Sequence, residues 1–507
     1  MTTRARQTDK SKVSSGVSGL DSIILGGWPV HHLYLIEGDP GTGKTTLALQ
    51  FLLEGAQRGE RVLYVTLSES KLELEGVAAS HRWPLKDVEI FEFLPNEDSL
   101  NPENEYSALH PSEVEFQDTM QSILQKITDA KPSRVVIDSL SEIRLLARES
   151  LRYRRQVLAL KHFFHERNCT VLMLDDRTSG AHDLQLHSIA HGVLLLERMA
   201  RDYGVERRRL RVVKLRGSTF REGFHDYTIE TGGLAVFPRL VAKDHAPPRA
   251  RGVALSKVDA LNTMWRNGLP WGSSTLITGP AGTGKSSLAV GYAFAAAERG
   301  EVAAIFHFDE TLAPLLERSA ALGMNIEPYI ESGKIIVRRV DPAEVSPGEF
   351  IAEVCDAVEK RHAKIVIIDS LNGLLQSMAE ERQLILQMHE LCAFLNQRGV
   401  ATFLVLAQAG ILGPQMMPPI DLSYLTDNVL LLRYFEANGS VRKAISAVKK
   451  RSGAHEDTIR EFRLSARGIE IGGPLSEFHG VLTGVPTYTG SPSTLERAMN
   501  DQLEPRQ

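Results

Sequence analysis

Gly38-Asp39-Pro40-Gly41-Thr42-Gly43-Lys44-Thr45 and Gly279-Pro280-Ala281-Gly282-Thr283-Gly284-Lys285-Ser286 carry the same pattern, G-x-x-x-x-G-K-[ST], twice in a chain of 507 residues. Each copy follows an apolar run (residues 33–36 and 274–278) and opens a helix-like stretch, the context a phosphate-binding loop requires. Glycines let backbone N–H groups close around phosphates, the lysine reaches the outer phosphates, and the Thr or Ser hydroxyl ligates Mg²⁺. The pattern therefore predicts two ATP sites. One is made by Gly38, Gly41, Thr42, Gly43, Lys44, Thr45 and Thr46, the other by Gly279, Gly282, Thr283, Gly284, Lys285, Ser286 and Ser287.

The loops stand 241 residues apart, and other features recur at nearly that offset. In each half an apolar strand ends in an acid 25 residues after the lysine, at Glu69 and at Asp309-Glu310. Later come Val135-Val136-Ile137-Asp138 and Val366-Ile367-Ile368-Asp369, continuous β-branched runs that suit central strands of a parallel sheet buried on both faces. Helical patterns over 112–130, 157–166, 349–360 and 384–397 alternate with these runs. The alternation predicts an α/β chain of two tandem P-loop domains, each a mostly parallel doubly wound sheet. Expected boundaries are a flexible N-terminus 1–12, domains 13–242 and 251–485, a Pro-containing linker 243–250, and a flexible tail 486–507.

The formal net charge is -5 with mixed signs, which offers no general attraction for nucleic acid or membrane. No apolar run approaches the length of a membrane-spanning helix, and the polar residues 1–12 lead into no apolar signal segment. Cys169, Cys355 and Cys392 are isolated and odd in number, reading as reduced core thiols of a cytoplasmic protein.

Asp138 and Asp369, at the carboxyl ends of buried strands, are expected at Mg²⁺ together with Thr45 and Ser286. The alternative is an aspartate that caps the following helix. Glu69 and Glu310 are expected to orient and deprotonate an attacking water; a solvent-facing loop acid is the plainer reading. Lys214-Leu215-Arg216 and Lys449-Lys450-Arg451 also recur in late β segments, where such residues usually form a solvated strand face.

In this ordered set of motifs the chain resembles the KaiC family, tandem RecA-like ATPases of the bacterial circadian clock. The resemblance covers residues 13–486 and rests on both P-loops, Val65-Thr66-Leu67-Ser68-Glu69, Phe308-Asp309-Glu310, Ile137-Asp138-Ser139-Leu140, Ile368-Asp369-Ser370-Leu371 and Lys214-Leu215-Arg216-Gly217. It implies a homohexamer of two stacked rings with ATP between subunits, hydrolysis in the first ring, and Ser/Thr autokinase activity in the second. It also implies that Lys214, Arg216, Lys449 and Arg451 contact the phosphates of a neighbour. Ser423 matches the family's acceptor serine, whereas Tyr424 replaces the acceptor threonine; Asp309 matches the acid that deprotonates the acceptor hydroxyl. Partner proteins remain unnamed by the sequence.

Two other readings stand beside this one. A RecA- or RadA-like DNA-dependent ATPase needs basic loops facing a channel, but residues 178–192 and 409–424 contain no Lys or Arg. A nucleotide-gated scaffold without turnover would keep both P-loops and lose hydrolysis.

Overall fold

The computed structural model describes residues 11–93, 111–147, 149–177, 184–200, 204–244, 252–376, 381–408, 423–437, 439–483 and 487–489. The chain divides between Arg239 and Leu240 into two compact units. Residues 1–10, 245–250 and 490–507 of the expected termini and linker, and most of the two expected channel loops, lie outside the described residues.

Each unit is built on a nine-stranded sheet. In the first, the order is Gly233–Phe237, His225–Glu230, Arg207–Leu215, Gly192–Met199, Leu33–Gly38, Thr170–Asp176, Arg134–Asp138, Val62–Thr66 and Glu89–Glu92. The strands from Gly192–Met199 to Glu89–Glu92 pair in parallel, and the first three of the order pair antiparallel. The second sheet repeats this order in reverse listing, with Ser274–Gly279 at the P-loop position between Ala401–Ala407 and Asn428–Ala437. These are two mostly parallel α/β sheets, as the alternating pattern predicts. The expected helices appear as Pro111–Ala130, Ser150–Glu166, Pro347–Glu359 and Glu381–Gln397.

The strand runs are continuously apolar because both sheet faces are covered. Tyr34 and Ile36 point into the core on the side of the P-loop helix, with Leu47 and Phe51, while Leu33 and Leu35 point to the opposite core with Ile123 and Leu160. Ile277 and Leu276 divide the second unit's cores in the same way. Cys169 and Cys392 are buried and Cys355 is partly so; all are free thiols, and burial pushes them up to about 11, 12 and 12 respectively, as inert core thiols require.

Among the described residues, Arg134 is the one charged side chain fully enclosed in the first core. Its guanidinium donates to Glu60 Oε2 and Oε1 at 2.6 and 3.0 Å, and to the carbonyls of Ser14 and Phe51 at 2.9 Å each. Removing it strands those acceptors, so Arg134→Ala should cost about 3–5 kcal/mol in urea unfolding.

Two segments next to the expected domain boundaries are held by short strand pairs. Lys12 pairs with Pro29 in a short antiparallel ribbon, and its Nζ donates to the carbonyls of Ile24 and Leu25. Thr487 and Tyr488 form a two-residue strand with Phe478–His479, anchored by Tyr488 OH donating to Glu477 Oε2 at 3.0 Å. Within the second unit, Ala242 is buried in the core and its N–H donates to Glu390.

Candidate active sites

The strands Leu33–Gly38 and Ser274–Gly279 each run into a glycine loop and then a helix, Lys44–Gln57 or Lys285–Glu298. The residue capping each helix must be glycine. Gly43 and Gly284 have φ of 91° and 104°, and an added Cβ would stand 2.6 Å from Ile229 Cδ1 or 2.7 Å from Leu464 Cδ1. Both loops thus leave free backbone N–H groups at a helix N-terminus, an anion-binding arrangement. Thr42 and Thr283 brace them by donating to the carbonyls of Asp39 and Pro280 at 2.8 and 2.9 Å.

In the first domain, Lys44 Nζ rests on the carbonyls of Gly38 and Asp39 and lies 2.7 Å from Asp176 Oδ1. Thr45 Oγ1 donates to Asp138 Oδ2 at 3.4 Å, and Tyr64 OH donates to the same oxygen at 2.6 Å. Burial pushes Asp138 above the usual carboxylate range, with Tyr64 opposing the shift. Glu69 follows the strand Val62–Thr66; its Oε2 is buried without a hydrogen-bond partner, and burial, followed by Asp138, pushes its carboxyl up to about 7. A half-buried, unpartnered carboxylate with a proton affinity near neutrality is suited to accept a proton from water.

The second site repeats the frame with different tuning. Lys285 Nζ donates to the Pro280 carbonyl at 2.7 Å, and burial pulls its pKa down to about 8. Ser286 hydrogen-bonds Asp369, whose carboxyl is raised by burial; His307 Nδ1 stands 3.7 Å from Asp369 Oδ2. Asp309 Oδ2 accepts a 2.7 Å bond from Ser370 Oγ. Glu310 Oε1 accepts a 2.5 Å bond from Arg318 Nη1, so it is ion-paired where Glu69 is not. In both sites a hydroxyl and a strand-end carboxylate offer hard oxygen donors of the kind Mg²⁺ takes together with substrate phosphates. Among the described residues no set of three or more His, Cys, Asp or Glu could hold a metal ion by itself.

The sequence reading missed Tyr64, Asp176 and Arg318. Asp176 carried a readable signal, since Thr170–Asp176 ends in acids as its neighbours do. Tyr64 and Arg318 carried none: one is a strand residue two positions before the end, the other lies eight residues beyond Glu310 on the helix Leu312–Ala321. Tyr64→Phe should lower stability by about 1–3 kcal/mol, because the buried Asp138 oxygen loses its shortest donor. Urea unfolding without nucleotide measures this.

The basic pairs and Ser423 are not brought to these loops. Lys214 Nζ donates to the carbonyls of His187 and Ala190, and Arg216 to that of Ser188. Lys449 Nζ repeats this on the carbonyls of Ser423 and Thr426, at 2.7 Å each, and Arg451 on that of Tyr424. These segments precede Gly192–Met199 and Asn428–Ala437, which run parallel to the P-loop strands and start beside their first residues. Each P-loop lies past the other end of a six-residue strand. At ~3.3 Å per residue, Ser423 is therefore roughly 17 Å or more from the P-loop of its own domain, and the lysine side chains turn away from the P-loops onto carbonyls at that same end.

The sequence model of the family described as "ATPase: KaiC" matches residues 13–241 and again 255–476. The chain belongs to the KaiC ATPase family. This KaiC-family chain is thus an ATP-hydrolysing enzyme made of two ATPase repeats. It is 26% identical over 498 residues to "Circadian clock protein KaiC3" of Synechocystis sp., covering 96% of each chain. It is also 26% identical over 488 residues to "Circadian clock oscillator protein KaiC" of Parasynechococcus marenigrum, covering 95% of this chain and 94% of that one. The protein of the same name from Acaryochloris marina is 26% identical over 497 residues, with 95% and 93% covered. No helix among the described residues is long and apolar enough to cross a membrane.

Proposed function

We propose that this KaiC-family ATPase is a self-assembling, two-site enzyme that hydrolyses Mg·ATP in its first domain and phosphorylates itself on Ser423 with ATP held by its second. In the first domain Lys44 holds the outer phosphates, Thr45 and Asp138 hold Mg²⁺, and Glu69 takes the proton of the attacking water. Bound Mg²⁺ would offset negative charge on the phosphates in each site. In the second domain Lys285, Ser286 and Asp369 hold Mg·ATP. The Ser423 Oγ attacks the γ-phosphorus, the bond to ADP breaks, and the hydroxyl proton passes to Asp309.

The observation that carries this reading is the separation of each basic pair, and of Ser423, from the P-loop of its own domain. A side chain at the start of the parallel strands meets a γ-phosphate only if another copy of the chain supplies it. This supports assembly with nucleotides at subunit interfaces, and the homohexamer of two stacked rings implied by the family satisfies it. In such an assembly Lys214 and Arg216, or Lys449 and Arg451, reach a neighbour's phosphates and add charge where the transition state develops it. The anchoring of Ser423 and Tyr424 carbonyls by Lys449 and Arg451 couples phosphate contact to acceptor position. The relatives named as circadian clock proteins support a role as a signalling or timing regulator.

Mapping phosphate on the purified protein after incubation with Mg·ATP tests the kinase half: modification of Ser423 is expected. Tyr424 is 54% exposed in the same turn, and its phenolic oxygen extends farther from the backbone. It is therefore expected to stay unmodified.

A further inference from the structure

We infer that Arg318 is a built-in restraint that keeps the second site from hydrolysing its ATP with water, so that the nucleotide is kept for transfer to a hydroxyl. The inference rests on the proposed reading of Glu310 as the water-directed acid of that site.

Glu310 and Glu69 occupy the same place in their repeats, 25 residues after the P-loop lysine and just past the strand whose last residue pairs with Asp369 or Asp138. Their surroundings differ at one position on the helix that follows. In the second domain that helix, Leu312–Ala321, carries Arg318, whose Nη1 donates to Glu310 Oε1 at 2.5 Å. In the first domain the residue at the same offset is Val77, an apolar side chain packed against the core, and Glu69 Oε2 has no partner. A carboxylate held in a charge-assisted bond has one oxygen already occupied and is fixed in direction. Arg318 thus holds Glu310 in a fixed pair where Glu69 is free to turn toward water.

Arg318 does more than form a surface ion pair. Its Nε and Nη2 are buried without partners, and its charge reaches both His307 and Asp369. Buried guanidinium donors left unpaired are unfavourable for folding, which points to a role at the site. Asp309, the neighbouring acid, is left outside this pair and bonds Ser370 instead. Water activation and hydroxyl activation are therefore governed by different residues, and only the first is restrained. Arg318 acts through Glu310 as a positioning residue.

The test uses the full-length protein with Glu69→Gln to silence the first site, and reads phosphate release from Mg·ATP. Arg318→Val should raise release at least about fivefold, Arg318→Lys should leave it low, and adding Glu310→Gln to Arg318→Val should remove the gain. The reciprocal Val77→Arg in otherwise unchanged protein should depress first-site hydrolysis at least about tenfold while ATP binding persists. No rise with Arg318→Val, or a rise that survives Glu310→Gln, overturns the restraint. Bound nucleotide counted on the same samples separates the two levels. Loss of bound ATP from the Lys285→Ala chain, from two per chain to one, upholds the second site; two-site binding that ignores Lys285 overturns the site reading and the restraint with it.

Discussion

Glu69→Gln should reduce steady-state ATP hydrolysis by about 10²–10⁴-fold, the usual contribution of a positioned general base. The substitution keeps the side chain's size and its place behind the strand Val62–Thr66, so assembly and ATP binding should be preserved. What it removes is the proton acceptor. The backbone of Glu69 is held separately, its N–H bonding Thr66 Oγ1 at 3.0 Å and its carbonyl accepting from the same hydroxyl at 2.6 Å. The loop is thus fixed by main-chain contacts that glutamine retains. pH provides a second readout. Burial raises the Glu69 carboxyl to about 7, and only the ionised form accepts a proton. Hydrolysis should therefore fall as pH drops below about 7 and level off above it, and the residual activity of Glu69→Gln should lack that dependence. Unchanged phosphate release in the variant would remove Glu69 from the chemistry.

Lys285→Ala should abolish phosphate on Ser423 while leaving most first-site hydrolysis in place. Lys285 is buried against the Pro280 carbonyl, and its pKa of about 8 leaves it largely charged near neutrality. In the proposed site it exchanges that carbonyl for phosphate oxygens when ATP binds, so its loss is expected to remove the main cation of the loop. An arginine or lysine at a transferring phosphoryl group is worth several kcal/mol, and a loss of about 10³-fold or more in transfer rate is expected. Lys44 serves a separate loop, held by Gly38, Asp39 and Asp176. The two activities should separate on these two lysines.

The parts of this account that were legible in sequence are those imposed by the backbone. A phosphate loop needs glycine where φ is positive, and Gly43 and Gly284 announce themselves. Central parallel strands need apolar residues on both faces, which makes Arg134–Asp138 and Ala363–Asp369 readable together with the aspartates that end them. Side-chain partnerships across elements were not readable. Tyr64 meets Asp138 only because adjacent parallel strands stand in register, and Asp176 meets Lys44 because its strand flanks the P-loop strand. Arg318 reaches Glu310 because two helical turns bring it back over the strand end.

The basic pairs show the same limit in another form. Their recurrence was visible, but their location was not, because the antiparallel strands Arg207–Leu215 and Ser440–Lys450 carry the chain back to the end of the sheet away from the P-loops. That reversal turned a repeated Lys-x-Arg pattern into an argument for assembly.

The central claim is that phosphate passes between copies of the chain, and a mixing experiment tests it most directly. Lys285→Ala chains, able to accept but not to donate, are co-assembled with Ser423→Ala chains, able to donate but not to accept, and supplied with Mg·ATP. The account predicts phosphate on Ser423 of the Lys285→Ala chains, with neither variant labelled when assembled alone. Absence of label from the mixture, while the unmutated protein labels Ser423 under the same conditions, would contradict it.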